Sequence, residues 1–582
     1  MERKNKHTAL SELKPFAFWV FFAPLFKIIE CVCELAVPFL VRAIIDDGLT
    51  ADGTHYRDDA FIYGLCLLIV ALAVLGFACT MVTQYVAAKV STDYAYALKK
   101  NIYAHMLSLS PRQVESFGRG KAVNLLGADS LAMQDGVLKF MRLLVRAPFL
   151  TLGAIVASFI VNPYAGLVVA GALGLCGLLI FIILKITPSH YGKLSRDLDR
   201  LSQLGEEGIV GARVIRAFGK EEDAHRSFEA QSEAYRAQTL KISKINAFIN
   251  PLTFALVNLA IVFLLYFGSF EFRTTALSVG SIVAIVSFLT QSLTALIQFT
   301  RLVTSLSKAV ASKRRIDGFF ALEPSLLSGE KKGLDEAKEG APLYELRDIS
   351  LDFGGENPAL SHVDFVLNEG ETVGVIGGTG SGKSTLIGLL ERFLDASDGT
   401  LLYRGHPIKE WDIPFLRGQI ALVSQKPQIY KGTFRANLCL GNPSATKEQI
   451  EAAIDDSLCR EFFPRLAKGL EEEIEENGQN LSGGQRQRLL IGRALASERP
   501  ILILDDATSA LDYKSDLRVR ENLKKRQGLT TLLISQRATS IKGCDRIYVL
   551  DKGKVVGVGT HDELLLSCPI YAEIYQAQVD AR

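Results

Sequence analysis

Long apolar runs fill the first half of this chain and are missing from the second half. A hydrocarbon core takes about 20 consecutive apolar residues per helix, and every backbone polar group inside it must be satisfied within the segment. Such runs dictate helices. Six stretches are long enough, at residues 16–44, 61–88, 137–161, 164–187, 247–270 and 277–303. The third and fourth are parted only by Asn162-Pro163-Tyr164, a turn signal that predicts a tight helical hairpin. With 582 residues the chain is also too long for one hydrophobic core, so at least one further domain follows the spans.

Charge orients the spans. Arg3, Lys4, Lys6 and Lys14 precede the first, and Lys308, Lys313, Arg314 and Arg315 follow the last. Asp46, Asp47, Asp52, Asp58 and Asp59 outweigh Arg57 after the first span, whereas the long segments 89–136 and 188–244 are rich in Lys and Arg. The positive-inside rule then places both termini and both long segments in the cytosol. Those segments have helical patterning: Arg196–Arg236 has no Pro and repeats Leu, Ile and Val at helical spacing. They read as membrane helices prolonged into the cytosol, each ending in a turn suited to touching another domain. Met1–Pro15 is charged and the first apolar run is too long for a cleavable signal peptide. With no organelle-targeting features, this start suits a bacterial plasma membrane.

Lys27, Glu30 and Glu34 share one face of the first span. Charge at that depth is costly and faces a bundle interior or a cavity. Two readings stand: a polar lining of a substrate path, or a self-neutralising Lys–Glu pair that positions helices. Phe16, Phe18, Trp19, Phe21, Phe22 and Phe26 crowd the cytosolic half of the same span, as an interfacial belt does. With 65 basic and 63 acidic residues the chain has no excess charge for nucleic acid as its main partner. Its nine cysteines lack metal or redox spacing and suit a reduced cytosol and a membrane.

Ser325–Ala341 is rich in Gly, Lys and Glu and reads as a linker; from Leu343 onward apolar strands alternate with helical stretches, as in an α/β domain. Within it, Thr372–Ile376 is a short buried-strand pattern followed by Gly377, Gly378, Thr379, Gly380, Ser381, Gly382, Lys383, Ser384 and Thr385. That run fits G-x-x-x-x-G-K-[ST], a loop whose N–H groups cradle phosphates at a helix start. Lys383 would reach the terminal phosphates and Ser384 would ligate Mg²⁺. Ile501–Asp506, ILILDD, is a buried strand that delivers Asp505 to the sheet edge where ligands sit, a second group suited to Mg²⁺. Asn480–Arg488, NLSGGQRQR, opens a helix with Ser482, Gly483, Gly484 and Gln485, a second anion-binding start. A chain with one phosphate loop gains from this second start only if it faces a partner's nucleotide.

Taken together, GGTGSGKST, Gln425 in VSQKPQIYKGTFRAN, LSGGQRQR, ILILDD and SALD at Ser509–Asp512 resemble the ATPase domain of ABC transporters. The spans with their cytosolic extensions, and EEGIVGARVIRAFGKEE at Glu206–Glu222, resemble an ABC exporter-type transmembrane domain. The resemblance implies a half-transporter: a six-helix transmembrane domain with long cytosolic helical extensions over residues 1–324, a linker over 325–342, and an α/β P-loop ATPase domain over 343–582. It further implies ATP and Mg²⁺ as ligands, with Phe353 stacking on adenine, Gln425 contacting Mg²⁺, and Glu476 touching the membrane domain's coupling helices. Small amphipathic or apolar molecules would be exported. Import of metal chelates on the same fold and a non-transporting ATP sensor stay open as alternatives.

Two positions depart from the family pattern. The catalytic Glu that follows the Mg²⁺ Asp is Asp506, and the switch His is Gln536. Asp is one methylene short, so its carboxylate stops about 1–1.5 Å from where it is needed, a misplacement that can cost about 100-fold. Gln cannot accept a proton. Both changes fall in one catalytic pair, which predicts a site that binds ATP and hydrolyses it slowly. With the signature undamaged, they predict a heterodimer whose other chain carries the intact Glu and His.

Overall fold

The apolar runs form helices as the chain demands. In the computed structural model, which describes residues 8–48, 59–270, 278–333, 337–354 and 358–580, they are α1 (Ala17–Ala43), α2 (Asp59–Ser108), α3 (Pro111–Phe117), α4 (Arg119–Asn124), α5 (Ser130–Leu143), α6 (Arg146–Val161), α7 (Pro163–Val210), α8 (Ala212–Ala217), α9 (Glu221–Phe270) and α10 (Val279–Phe320). Arg3, Lys4, Lys6, Asp52, Arg57 and Asp58, used above for orientation, lie outside the described residues. The chain divides into two units: Met1–Ser108 with Val114–Glu323, and Leu109–Gln113 with Pro324–Arg582.

In the first unit the long helices run well beyond membrane thickness. At 1.5 Å per residue, α2 with 50 residues and α7 with 48 are about 70 Å long. The hairpin between α6 and α7 forms at Asn162, whose Oδ1 accepts the N–H groups of Tyr164 and Ala165 at 2.9 and 3.2 Å. The third span keeps helical backbone through Leu144–Val145, where α5 gives way to α6, but its hydrogen-bond ladder is interrupted there. Pro148 is the cause, because it has no N–H for the Leu144 carbonyl and its ring crowds that oxygen. Among the described residues, four helical runs are long and apolar enough to cross a membrane: Asp59–Ser108, Arg119–Val161, Pro163–Ile182 and Val279–Phe320. No membrane-length window of α1 avoids Lys27, Glu30 and Glu34, so α1 falls short on its own.

Small residues let these helices approach. A Cβ on Gly136 of α5 would strike Ala309 of α10, and one on Gly153 of α6 would strike Leu35 of α1. Ala165, Val169, Leu173 and Cys176 of α7 pack on Val257, Ala260 and Leu264 of α9 and on Ile285, Leu289 and Leu293 of α10. Many apolar side chains stay outside, among them Phe21, Leu67 and Ile160, as on a lipid-facing surface.

The second unit is built on sheets. Strands β1 (Tyr344–Leu351), β2 (Leu360–Leu367), β4 (Asp398–Tyr403) and β5 (His406–Pro407) form an antiparallel sheet in the order β2-β1-β4-β5. The larger sheet joins β3 (Thr372–Gly377), β6 (Ile420–Val423), β9 (Ile501–Asp505), β10 (Thr530–Ile534), β11 (Arg546–Asp551) and β12 (Lys554–Gly559) in the order β12-β11-β3-β10-β9-β6. A short pair, β7 (Gly432–Thr433) and β8 (Glu473–Ile474), stands apart. The inner strands β3, β9 and β10 run parallel and are buried along nearly their whole length, hence their unbroken Val, Ile and Leu. Register fixes the site: Ile534 lies opposite both Val375 and Asp505, so β3, β9 and β10 end at one level. The Gly-rich stretch after Pro324 is docked rather than loose. Gly329 and Lys331 donate to the carbonyls of Trp411 and Glu410, and the buried Arg392 guanidinium donates to the Leu327 carbonyl at 2.6 Å.

Candidate functional site

Three strand ends meet at one pocket. It measures about 100 Å³ and is lined by Thr379, Gly380, Lys383, Ser384, Gln425, Asp505, Asp506, Ser535 and Gln536. The glycine loop leaves β3 and turns into the helix α11 (Lys383–Leu390) through left-handed backbone at Gly380, φ +78°, and Gly382, φ +103°. A Cβ on Gly377 would collide with the Leu550 carbonyl of β11, so the strand packs too closely there for any side chain. Lys383 Nζ donates to the carbonyls of Gly377 and Gly378 at 2.9 and 2.6 Å and lies 3.2 Å from Ser381 Oγ. Its ammonium is held on the loop by these two carbonyls.

Electrostatics suit a charged ligand. Burial pulls the Lys383 ammonium below the usual lysine range, while Asp505 and Asp506 oppose that shift. Burial pushes Asp505 up, and Asp506 beside it adds to the effect. Asp506 is also raised by burial, against Arg537 and Lys383. Two crowded, partly desolvated carboxylates beside a hydroxyl are what a divalent cation relieves. Asp505 and Ser384, with Gln425 on the same wall, are the residues that would hold Mg²⁺, which supplies positive charge to phosphate oxygens. Asp506 takes a left-handed conformation, φ +49°, and its N–H donates to the Ile534 carbonyl at 2.9 Å.

Some residues that shape this site are not among those the motifs single out. Gln578 of the C-terminal helix Pro569–Asp580 donates to the Gln536 carbonyl at 2.7 Å and accepts the Ala538 N–H at 2.9 Å. Arg537 donates to the Ser509 carbonyl at 2.8 Å. Gln487 holds the other side of that loop, donating to Ser509 Oγ at 3.1 Å and accepting the Ala510 N–H at 2.8 Å. The SALD turn is thus fixed between the signature helix and the switch position. Arg493 binds the Asn437 carbonyl and side chain and the Gln428 carbonyl, each at 2.8 Å, which ties the signature helix to the segment after Gln425.

The signature residues do not line this pocket. Ser482 caps the helix Gly483–Ala496 in a reciprocal pair with Gln485. A Cβ on Gly483 would meet nothing nearer than Ala510 at 3.8 Å, and on Gly484 nothing nearer than 3.4 Å. The chain's own packing therefore does not require either glycine. Glu475 stands where the resembling family has Gly, and its φ of −70° is open to any residue. Glu476 is exposed. Phe353 also lies outside the pocket, and its ring carries the guanidinium of Arg112, 3.9 Å from the ring centroid.

In the first unit Lys27 Nζ bonds both oxygens of Glu30, at 2.7 and 2.5 Å, and both side chains are buried. A residue that the sequence did not single out completes the group: Arg146, at the start of α6, reaches Glu34 at 2.8 Å and Glu30 at 3.8 Å. Two cations and two anions then balance. Gln291 donates to the Glu34 carbonyl at 3.3 Å. This geometry favours the helix-positioning reading for Lys27 and Glu30 and leaves Glu34 half-buried.

Two family models match successive parts of the chain. The family described as "ABC transporter transmembrane region" matches residues 20–296, and that described as "ABC transporter" matches residues 360–509. An uncharacterized ABC transporter ATP-binding protein of Bacillus subtilis, YfiB, is 29% identical, with 98% of each chain covered. The ATP-dependent lipid A-core flippase of Escherichia coli K12 is 27% identical over 97% of this chain and 96% of its own. A solved bacterial Atm1-family ABC exporter with ATP bound shares the fold, with a TM-score of 0.81 and 22% identity over 97% of this chain and 98% of that one. The chain is a member of the ABC transporters, with an exporter-fold transmembrane region fused to the ATPase domain.

Proposed function

We propose that this chain is one half of a heterodimeric exporter of small amphipathic or apolar molecules, with a slow ATP site of its own. The observation that carries the reading is the pocket where Lys383, Ser384 and Asp505 meet Asp506 and Gln536. Everything needed to hold a triphosphate and a divalent cation is there, while the base and switch positions carry side chains that do the chemistry poorly. Phe353 supplies the stacking surface for adenine. Signature glycines that face outward, with no internal reason to be glycine, complete a site on the partner. That partner is a homologous half-transporter with an intact Glu and His. Relatives named as ATP-dependent lipid A-core flippases act on a lipid, which supports an amphipathic substrate class.

The protein works as a multi-pass protein of a bacterial plasma membrane, with both termini and the ATPase domain in the cytosol. Glu34, more open than Glu30, contributes to the substrate path and to preference for cations. Lys383→Ala should abolish ATP photolabelling of this chain's own site, and undiminished labelling would overturn the assignment. Purified alone, the chain should show little ATPase activity, and addition of the partner half should raise it. Brisk activity alone, unchanged by Asp506→Asn, would refute the slow-site reading.

A further inference from the structure

Phe353 and Arg112 form a pair that the motifs do not announce. The Arg112 guanidinium carbon stands 3.9 Å from the centroid of the Phe353 ring, within cation–π distance. Arg112 belongs to Leu109–Gln113, a segment grouped with the second unit. The segment is held in place: Ser325 donates its N–H and its hydroxyl to Gln113 Oε1, each at 3.1 Å, and its hydroxyl lies 3.2 Å from that of Ser110. Gln113 Oε1 also accepts the Ser110 N–H at 3.1 Å. These bonds fix the segment that carries Arg112 beside the ring.

At this separation nothing fits between guanidinium and ring. We infer that Arg112 sets the nucleotide affinity of this site by competing with the adenine base for the face of Phe353 that it covers. The inference rests on the reading of Phe353 as the adenine platform. A planar guanidinium and a purine want the same surface, and one displaces the other. The arginine's hold is worth a cation–π contact, so its removal should raise ATP affinity about two- to five-fold. A ligand without a base makes no use of the ring and should not respond.

The test titrates the purified full chain and its Arg112→Ala, Arg112→Lys and Phe353→Ala variants with MgATP and with magnesium tripolyphosphate. Competition predicts tighter ATP binding for Arg112→Ala, a smaller gain in the same direction for Arg112→Lys, and unchanged tripolyphosphate affinity for both. Weaker ATP binding by Arg112→Ala would show that the arginine is a second wall of the base site and would overturn the inference. Parallel shifts for both ligands would show action through charge, and no shift for either would show a bystander. Each of these outcomes overturns it as well. Phe353→Ala tests the underlying reading separately: it should weaken ATP and spare tripolyphosphate, and if it spares both, the platform assignment fails.

Discussion

Gln578, near the C-terminus, brackets the switch position: its side chain donates to the Gln536 carbonyl at 2.7 Å and accepts the Ala538 N–H at 2.9 Å. Both bonds come from one amide, which ties the terminal helix to the switch turn. Gln578→Leu removes the pair while keeping the volume. Each lost bond costs about 1 kcal/mol, more where a buried N–H is orphaned. Hydrogen exchange at Gln536–Ala538 should quicken by about tenfold or more, while exchange in β3 stays unchanged. Equal quickening across the sheet would mean global destabilisation instead.

Asp506 and Gln536 limit turnover as a pair. Asp506→Glu with Gln536→His should raise the ATPase rate of the chain purified alone by up to about 100-fold, whereas each single change should give little. An inert double variant that still binds ATP would locate the limitation elsewhere, for instance in the SALD turn.

Glu391 closes helix α11 and is buried, which pushes its carboxyl from 4.5 up to about 7; Arg417 works against the shift and Asp505 adds to it. Because the folded state holds the proton more tightly than the unfolded one, its contribution to stability is full below pH 4.5 and is lost as pH climbs to about 7. Glu391→Gln stays neutral throughout. The ATPase-domain melting transition of the variant should therefore gain on that of the parent between those pH values, by about 3 kcal/mol at the upper end. A constant difference across the range would exclude Glu391 as the titrating group.

Arg146 and Glu34 answer each other across α6 and α1. Arg146→Gln alone should destabilise the detergent-solubilised protein by about 3 kcal/mol, because it leaves one carboxylate uncompensated. Glu34→Gln added to it should recover much of that loss, and an additive double variant would show that the two do not interact. If Glu34 also lines the substrate path, Glu34→Gln in vesicles should depress transport of cationic substrates more than neutral ones. Equal loss for both would leave it a positioning residue.

Local spacing made much of this legible. A strand, a glycine turn and a lysine at a helix start sit within one short stretch, and ILILDD ends at the sheet edge because its strand runs parallel to β3 through β10. Arg146 was not legible, since it meets Glu34 112 residues away and nothing near it in sequence marks the meeting. Gln578 was hidden for the same reason, an ordinary surface-type residue until the chain folds Gln536 against it, while Gln487 lies within NLSGGQRQR but nothing local assigns it to Ser509. Pro148 was in plain view inside the third span, and its missing N–H carried the signal for the hydrogen bond lost before α6.

The charge group on α1 also bears on how the protein is made. A first span that carries Lys27, Glu30 and Glu34 leaves the translocation machinery with a poor claim on lipid, and its missing counter-charge, Arg146, is synthesised only with the third span. The expected order has α1 completing its insertion only once α6 supplies Arg146. Arrested chains ending before residue 146 should leave α1 extractable by alkali, and chains ending past residue 161 should hold it in the bilayer. A single arginine in the third span would then set when the first span settles.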